Sequence, residues 1–284
     1  MKILVTGANG QLGQDVVQLL KGQKKFELFS YNRSELDITN SEAVQEAVVS
    51  IKPDWILHCA AYTNVEAAED EGKELNWRIN RDGSKYISKA AASVDANLIY
   101  ISTDYVFDGI KQENYFPDDE KNPLNQYGAA KLAGEEEILK YCPNAHIIRT
   151  SWVFGENGHN FVYTMLNLAK KMDTLKVVDD QYGRPTYAKD LAAFMLHIIE
   201  NDTPCGIYHF SNDETATWYQ FAKIILKDKN INIEPVESHE FKQKAKRPKY
   251  SIMSLDKVKS TGFVIPTWSN ALLRFMENAS KVNR

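Results

Sequence analysis

Short apolar runs alternate with amphipathic stretches along the first half of the chain. Five such runs predict buried strands. They lie at residues 2–6, 27–31, 55–61, 98–102 and 146–149. Between them apolar residues recur at helical spacing, as from Val16 to Leu20, and Thr39 and Glu42 have capping-box spacing for a helix over 40–51. Apolar strands joined by helices predict an α/β fold, a doubly wound parallel Rossmann sheet.

The alternation becomes less regular after residue 153. Helices are expected over 158–171 and 187–200 and near 217–228 and 267–278, with a polar loop at 177–186 and a strand at 207–210. We therefore expect a dinucleotide-binding domain at 1–153, to which 181–211 returns. Residues 154–180 and 212–284 are expected to form a smaller C-terminal substrate-binding lobe.

Composition and charge narrow the class of protein. The 284 residues are 43% hydrophobic with a formal net charge of −4, which argues against a nucleic-acid partner. No apolar run approaches the ~20 residues that span a bilayer, so no membrane segment is expected. Cys59, Cys142 and Cys205 match neither a disulfide nor a zinc spacing, and His58 is expected to be a packed core residue. These features favour a soluble, cytoplasmic protein.

A glycine-rich turn follows the first predicted strand. Gly7, Gly10 and Gly13 are spaced GxxGxxG between strand and helix. Gly7 allows a tight turn, Gly10 lets a pyrophosphate approach the backbone, and Gly13 permits close packing of helix and strand. The N–H groups and partial positive charge of the helix N-terminus favour phosphates. The segment predicts a dinucleotide site, and a purely structural turn is the alternative.

The end of the second predicted strand bears on the choice of cofactor. An acidic residue there bonds the ribose 2′-hydroxyl of NAD, whereas an arginine accommodates the 2′-phosphate of NADP. Here Asn32 and Arg33 follow the strand, and no acid occurs before Glu35. The sequence therefore favours NADPH and leaves NADH open as a second cofactor.

Tyr127 and Lys131 carry the predicted chemistry. They lie four residues apart in a segment expected to be helical, 126–141, so their side chains share one face. A nearby cation favours the phenolate and is expected to lower the pKa of Tyr127 toward neutrality, which suits a proton donor. Thr103, at the end of the fourth predicted strand, offers a hydroxyl to a substrate carbonyl.

Four further motifs accompany the glycine turn and the Tyr127–Lys131 pair. They are Ser102-Thr103-Asp104-Tyr105-Val106-Phe107, Arg149-Thr150-Ser151-Trp152-Val153, Asp180-Gln181-Tyr182-Gly183-x-Pro185-Thr186, and Arg247-Pro248 followed by Ser251. With these motifs the chain resembles, over nearly its whole length, the extended short-chain dehydrogenase/reductases. Within them it is similar to the branch that reduces dTDP-linked 4-keto sugars.

The resemblance implies NADPH-dependent reduction of the C4 keto group of dTDP-4-dehydro-6-deoxy-L-mannose (dTDP-4-dehydro-L-rhamnose) to dTDP-L-rhamnose, a precursor of cell-surface polysaccharide. It implies that Tyr127 protonates the developing C4 alkoxide and that Thr103 bonds the carbonyl oxygen. Lys131 would hold the nicotinamide ribose, and Asn80 would position a water behind the lysine.

The resemblance also implies two sets of binding residues. The cofactor would contact Gly10, Gln11, Leu12, Asp37, Ile38, Ala61, Tyr62 and Thr63, besides the residues already named. The substrate would contact Thr103, Asp104, Trp152, Gln181 and Arg247. The planar fork of the Arg247 guanidinium suits the substrate diphosphate.

Metal and partner expectations follow from the same resemblance. Some members of the family bind Mg²⁺ between subunits through several glutamates. Here Asp15 and Asp190 are the corresponding acids, but His197 replaces a further one, and Mg²⁺ prefers oxygen ligands. We therefore expect no obligatory metal site, and the family suggests a homodimer.

Two alternative functions remain open from the sequence. One is a reductase or an epimerase that acts on another nucleotide sugar, since such enzymes share the Tyr127–Lys131 pair. The other is a non-catalytic regulatory subunit, because a subunit of methionine adenosyltransferase resembles these reductases.

Overall fold

A six-stranded parallel sheet forms the centre of the structure. The structure is a computed structural model that describes residues 1–282, and their side chains as far as residue 279. The strands are β1 (Lys2–Thr6), β2 (Glu27–Tyr31), β3 (Trp55–His58), β4 (Asn97–Thr103), β5 (His146–Thr150), β6 (Val153–Phe154), β7 (Thr174–Val178), β8 (Tyr182–Gly183), β9 (Thr186–Tyr187), β10 (Gly206–His209), β11 (Ala216–Thr217) and β12 (Asn232–Val236). The helices are α1 (Gln11–Leu20), α2 (Ser41–Ile51), α3 (Lys73–Trp77), α4 (Ser84–Ser93), α5 (Gln126–Tyr141), α6 (Phe161–Leu168), α7 (Ala188–Glu200), α8 (Trp218–Ile225), α9 (Asp256–Lys259) and α10 (Trp268–Val282). A π-helical segment, Arg78–Gly83, joins α3 to α4.

The strand order in the sheet is β2-β1-β3-β4-β5-β10. The order reverses between β1 and β3, and open α/β sheets bind their ligands at such a switch point. The predicted doubly wound parallel sheet is confirmed.

Both faces of the sheet are apolar, because alternate residues of each buried strand face opposite sides. On one side Ile3 and Leu57 belong to a core shared with α1 and α7. On the other side Leu4 and Ile56 belong to a core shared with α2, α4 and α5. Burial on both faces explains why these strands read as continuous apolar runs in the sequence.

A smaller lobe is built from the second half of the chain. Its core contains Phe154, Phe221 and Phe275, which come from β6, α8 and α10. β7 and β12 form a separate parallel pair, whereas β10 joins the edge of the central sheet beside β5. The predicted domain boundaries stay predictions, and residues 283–284 of the predicted lobe lie outside the described residues.

Two predicted boundaries in the first half differ from the structure. Asn40, not Thr39, caps α2, since its side chain accepts hydrogen bonds from two backbone N–H groups of the first turn. Thr39 instead donates its hydroxyl to Asp37 over 2.9 Å. β3 ends at His58, three residues before its expected end at Ala61, and the chain turns there toward the glycine-rich segment.

Further differences lie in the second half. The helix expected over 158–171 is shorter, because Gly158 has a φ of 73° and Asn160 caps α6. The expected loop at 177–186 contains the short strands β8 and β9. The strand β12 and the helix α9 had not been predicted. Most residues of β12 are exposed or half-buried, so its sequence lacks the apolar alternation that marks a strand.

Other expectations concern single residues and membrane segments. His58 is buried as expected, and its Nδ1 lies 2.7 Å from the Thr6 hydroxyl oxygen. Cys59, Cys142 and Cys205 are free thiols. Among the described residues, no helix combines the length and apolar character needed to cross a bilayer.

Candidate active site

The glycine-rich turn lies at the switch point of the sheet, beside the end of β3. Gly7 has a φ of 68°, and a Cβ there would lie 2.7 Å from backbone atoms of Ala60. A Cβ on Gly13 would lie 2.1 Å from the carbonyl oxygen of Gly7. These positions therefore require glycine, as the sequence predicted. Gly10, which has no side chain to cap α1, precedes the first helical N–H groups, so the turn fits a diphosphate.

A cavity of about 530 Å³ extends from this turn to Tyr127. Most of the predicted cofactor and catalytic residues line it, and so do three of the five predicted substrate residues. They are Gly7, Gly10, Gln11, Leu12, Arg33, Asp37, Ile38, Ala61, Thr63, Thr103, Asp104, Tyr127, Lys131 and Trp152. Gly13, Tyr62, Asn80, Gln181 and Arg247 do not line this cavity within the described part of the chain.

One end of the cavity is formed by residues that follow β2. The Asn32 side chain accepts the backbone N–H of Ser34 over 2.8 Å, and the Glu35 carboxylate accepts the backbone N–H of Asn32 over 2.8 Å. Arg33 forms no hydrogen bond or ion pair with the described residues and lines the cavity. The acid nearest to the strand end is thus engaged with the backbone, while the guanidinium, whose charge helps to lower the pKa of Asp37, donates to no described residue.

Asn80 lies in the π-helical segment and fixes the chain that follows β3. Its Oδ1 accepts the backbone N–H of Tyr62 over 3.1 Å, and its Nδ2 donates to the Tyr62 carbonyl over 2.9 Å. Nδ2 also donates to Asn76 Oδ1 over 2.7 Å. Asn80 therefore fixes the backbone of Tyr62, between the cavity-lining residues Ala61 and Thr63, and its role in positioning a water stays a prediction.

Tyr127 lies in the first turn of α5, which Asn125 caps by accepting the Gly128 N–H over 2.8 Å. Burial raises the pKa of Tyr127, and the negative charge of Asp104 raises it further. A hydrogen bond with Thr103 lowers the pKa but does not outweigh the burial. The expectation that Lys131 brings the pKa of Tyr127 toward neutrality is therefore wrong for this structure. Burial of the phenol dominates, and the phenol keeps its proton.

The Lys131 ammonium is directed at the central sheet. Its Nζ donates to the carbonyl oxygen of Ile101 over 2.6 Å and lies 4.0 Å from the ring centroid of Tyr100. Burial lowers the pKa of Lys131 to about 7, and the Glu135 carboxylate acts in the opposite direction. A lysine in this state changes charge near neutral pH.

Asp104 follows Thr103 and is buried beside it. The Thr103 hydroxyl donates to Asp104 Oδ1 over 3.2 Å, whereas Oδ2 makes no hydrogen bond with the residues that the structure describes. Burial raises the pKa of Asp104 to about 7, although hydrogen bonds with Ser251 and Thr103 oppose the rise. Ser251, which the sequence offered only as part of a motif, thus lies at the site.

Trp152 forms the wall of the cavity on the side of the lobe. Its φ of 48° is unusual for a bulky residue, and its ring stacks on Trp218 with centroids 3.6 Å apart. Gly183 lies so close that a Cβ would approach the Trp152 ring to 2.7 Å. Trp218 was missed by the sequence analysis. The Thr217–Gln220 capping box marks the helix that carries it, but only the folded chain brings it to Trp152.

Gln181 and Arg247 line a second cavity, of about 1030 Å³. Arg247 forms an ion pair with Glu66 over 2.6 Å and hydrogen-bonds Tyr105, which itself lines the first cavity. Arg247 Nη1 is buried without a hydrogen-bond partner among the described residues. Arg247 therefore links the second cavity to the first, and its Nη1 can still donate hydrogen bonds to a ligand.

The acids considered for a metal do not share one site with His197. Arg274 binds both carboxylate oxygens of Asp190, over 2.8 and 2.6 Å. Asp15 lies near Glu156, and burial raises the pKa of Asp15 to about 6. Within the described residues, no group of three His, Cys, Asp or Glu side chains is placed to hold a metal ion.

Comparisons with known proteins agree with this geometry. The model of the family described as the RmlD substrate binding domain matches residues 1–281. A dTDP-4-dehydrorhamnose reductase from Aggregatibacter actinomycetemcomitans is 39% identical over 285 residues, which cover 95% of this chain and 97% of that protein. The solved structure of a dTDP-4-dehydrorhamnose reductase from Clostridium acetobutylicum matches with a TM-score of 0.95 and 40% identity, covering 99% of this chain and all of that chain. The structure of the Bacillus anthracis enzyme in complex with NADP matches with a TM-score of 0.93 and 40% identity, covering 98% and 99% of the two chains.

Proposed function

The chain belongs to the family described as the RmlD substrate binding domain, and on that basis we propose that it is an oxidoreductase, an NADPH-dependent dTDP-4-dehydrorhamnose reductase. Its substrate is dTDP-4-dehydro-L-rhamnose and its product dTDP-L-rhamnose. The observation that carries the proposal is one cavity that joins the glycine-rich turn to Thr103, Tyr127 and Lys131.

The cofactor is held by groups along the cavity. The backbone N–H groups at the start of α1 bind its diphosphate, and Arg33 binds the 2′-phosphate of the adenine ribose. Lys131 holds the nicotinamide ribose from the side of β4. The nicotinamide supplies the hydride for C4 of the sugar.

Tyr127 supplies the proton. As C4 becomes tetrahedral, the electron pair of the C=O bond moves to oxygen, and the Tyr127 O–H transfers its proton there, so that a CH–OH group results. Thr103 donates a hydrogen bond to the same oxygen and stabilises its developing charge. The phenolate left on Tyr127 is stabilised by the Lys131 cation until it regains a proton from solvent.

The substrate extends from the first cavity to the second. Asp104 and Trp152 contact the sugar, which lies between the stacked tryptophans and α5. Gln181 and Arg247 contact the nucleotide part, and the guanidinium exchanges the Glu66 carboxylate for the diphosphate. The proposal includes a cytoplasmic location and a homodimer, and light scattering of the purified protein tests the dimer.

Reductase activity is measured by the oxidation of NADPH, and separately of NADH, at 340 nm. The substrate is dTDP-4-dehydro-L-rhamnose generated in situ, and a GDP-linked 4-keto sugar is the control. We expect turnover with the dTDP sugar alone and a preference for NADPH. If the folded protein binds NADPH but turns over neither sugar, the proposal fails and the non-catalytic alternative gains support. Turnover of the GDP sugar at an equal rate would instead indicate another nucleotide-sugar reductase.

A further inference from the structure

Glu135 lies one helical turn after Lys131 and two turns after Tyr127 on α5. It forms a buried ion pair with Arg149, in which the two side chains are 3% and 0% exposed. The contact is a fork: Arg149 Nε donates to Oε1 over 2.9 Å, and Nη2 donates to Oε2 over 2.7 Å. Because buried charges are costly unless they are paired and hydrogen-bonded, such a pair beside the catalytic lysine calls for a physical reason.

The carboxylate and the lysine are attached to neighbouring residues of β4. Glu135 Oε1 accepts a hydrogen bond from the Ser102 hydroxyl over 2.5 Å, and Lys131 Nζ donates to the Ile101 carbonyl over 2.6 Å. Ser102 also pairs in register with Arg149 of β5. The ion pair thus joins α5, β4 and β5 directly behind the catalytic cavity.

Arg149 extends the same network to the loop that follows Thr103. Its Nη1 donates to the Pro117 carbonyl over 2.9 Å and lies 3.3 Å from His209 Nε2. Its guanidinium also lies over the Phe107 ring, 5.2 Å from the centroid. The pair therefore connects the helix that carries Tyr127 and Lys131 with the segment that follows Thr103.

We propose that Glu135, with Arg149 as its counter-ion, is a positioning residue that keeps Lys131 charged and docked on β4 during turnover. The inference rests on the proposed function, in which the lysine must be cationic. Glu135 touches neither substrate nor cofactor in this account and acts through Lys131.

The groups that face Lys131 support an electrostatic role for Glu135. They are Tyr100 on β4, His58 at the end of β3, Cys59 after it, and Glu135 itself, while Tyr127 lies one turn earlier on α5. Burial raises the pKa of Cys59 to about 12 and raises those of both tyrosines, and it lowers the pKa of His58 to about 3, so these four are neutral near pH 7. Of these groups, within the described residues, Glu135 alone is a carboxylate that offsets the burial of the lysine.

The decisive variant is Glu135→Gln, compared with Glu136→Gln at the adjacent exposed position of α5. In the plot of kcat/KM for NADPH against pH, the alkaline limb is the fall that occurs as Lys131 loses its proton. We expect this limb to move about one pH unit lower in Glu135→Gln and to stay in place in Glu136→Gln. That shift corresponds to a loss of about tenfold at pH 8 and less than about twofold at pH 5.5. Glu135→Asp, which keeps the charge, should restore most of the wild-type profile. Equal losses at every pH, or a limb unchanged from Glu136→Gln, would overturn the proposal.

Glu135→Gln leaves the Arg149 cation buried without its partner and can prevent folding. In that case the double variant Glu135→Gln/Arg149→Met replaces it, because this pair of changes removes the carboxylate without leaving an unpaired cation. Its alkaline limb should still lie below that of Glu136→Gln, and an unmoved limb would refute the role of Glu135.

Binding of NADPH, followed by its fluorescence between pH 5.5 and 9, separates this inference from the proposed function. The titration needs no sugar substrate. If the wild-type protein reduces no sugar, the proposed reaction fails, while the pH dependence of the NADPH Kd in the same variants still decides the role of Glu135. The Kd of the Glu135 variant should begin to rise about one pH unit lower than that of the control.

Discussion

Burial affects the pKa values of two neighbouring site residues on α5, Tyr127 and Lys131, in different ways. Tyr127 and Lys131 are both removed from solvent, so both favour their neutral forms, and their pKa values shift in opposite directions. The phenol therefore keeps its proton, as the proposed role of proton donor requires. The pKa of Lys131, which burial lowers to about 7, is raised in turn by the Glu135 carboxylate.

Replacement of Tyr127 by phenylalanine tests the proton donor. Because the ring is retained and only the O–H group is lost, kcat should fall by about 10²–10⁴-fold while the NADPH Kd stays nearly unchanged. The measurement is steady-state turnover of the dTDP sugar combined with NADPH fluorescence. Tyr141→Phe, at the far end of the same helix, is the matched control and should keep full activity. Retention of more than roughly a tenth of the wild-type turnover in Tyr127→Phe would exclude the phenol as proton donor, given the contribution expected from general acids.

Replacement of Arg33 by alanine tests the 2′-phosphate contact. A hydrogen bond between charged groups contributes about 1.5–3 kcal/mol, so the NADPH Kd should rise by roughly 10–100-fold, and the NADH Kd should change little. Both constants are measured by fluorescence titration, with Arg81→Ala as the control, since Arg81 pairs with its neighbour Asp82. An equal rise for the two cofactors would remove Arg33 from this role.

The sequence could predict the residues that share a local pattern but not their distant partners. Tyr127 and Lys131 follow from helical spacing, and Gly7 follows from its position after β1. The ion pair of Arg247 with Glu66 joins segments far apart in the chain, so no local pattern indicates it. The dominance of burial over the Lys131 charge at Tyr127 likewise depends on the packed cavity, which spacing does not reveal.

The helices and strands of the first half were predicted well because apolar residues recur along the sequence at the spacing typical of each element. β12 was missed, since it is largely exposed and is recognised only by its pairing with β7. The π-helical segment between α3 and α4 is not recognisable from the sequence, because its apolar spacing is nearly that of an ordinary helix. Asn80, within this segment, hydrogen-bonds the Tyr62 backbone.

The contact between α5 and the π-helical segment gives a prediction for Gly134. A Cβ at this position would lie 2.3 Å from the Asn80 carbonyl oxygen and 2.5 Å from the Tyr100 hydroxyl oxygen. Gly134→Ala should therefore destabilise the protein by about 1–3 kcal/mol, although alanine is the better helix former. Urea unfolding measures the change, and Glu136→Ala on the exposed side of the helix is the control. A Gly134→Ala protein as stable as the control would show that the two helices do not pack this closely.

Over the whole molecule, the arrangement of elements explains where the site lies. The sheet order reverses at the glycine-rich turn, β4 and α5 deliver Thr103 and Tyr127 to the same edge, and the lobe adds Trp152 and Trp218. Local alternation predicted the parallel sheet. It could not give the position of β10 beside β5, which depends on how the second half folds back.

The interior of the molecule also contains ionisable groups whose pKa values make its stability depend on pH. Burial lowers the pKa of His58 and of His209 from 6.5 to about 3. Each binds a proton in the unfolded chain as pH falls through 6.5, but stays neutral in the folded protein until about pH 3. Each histidine therefore lowers the free energy of unfolding by about 1.4 kcal/mol per pH unit as pH falls between these values. Asp15 and Asp104 have raised pKa values and act in the opposite direction, so the wild-type slope alone does not isolate the histidines.

A comparison of His58→Gln with the wild type isolates this contribution. The variant lacks the titrating ring, so its free energy of unfolding relative to the wild type should increase by about 1.4 kcal/mol for each pH unit between pH 6 and pH 4. The variant also loses the hydrogen bond to Thr6, which destabilises it by the same amount at every pH. This loss changes the size of the difference in free energy of unfolding but not its slope with pH. Urea unfolding at several pH values gives both quantities, with His239→Gln at an exposed site as the control. A difference between His58→Gln and the wild type that stays constant with pH would mean that His58 has the same pKa in the folded and the unfolded protein, in conflict with its burial.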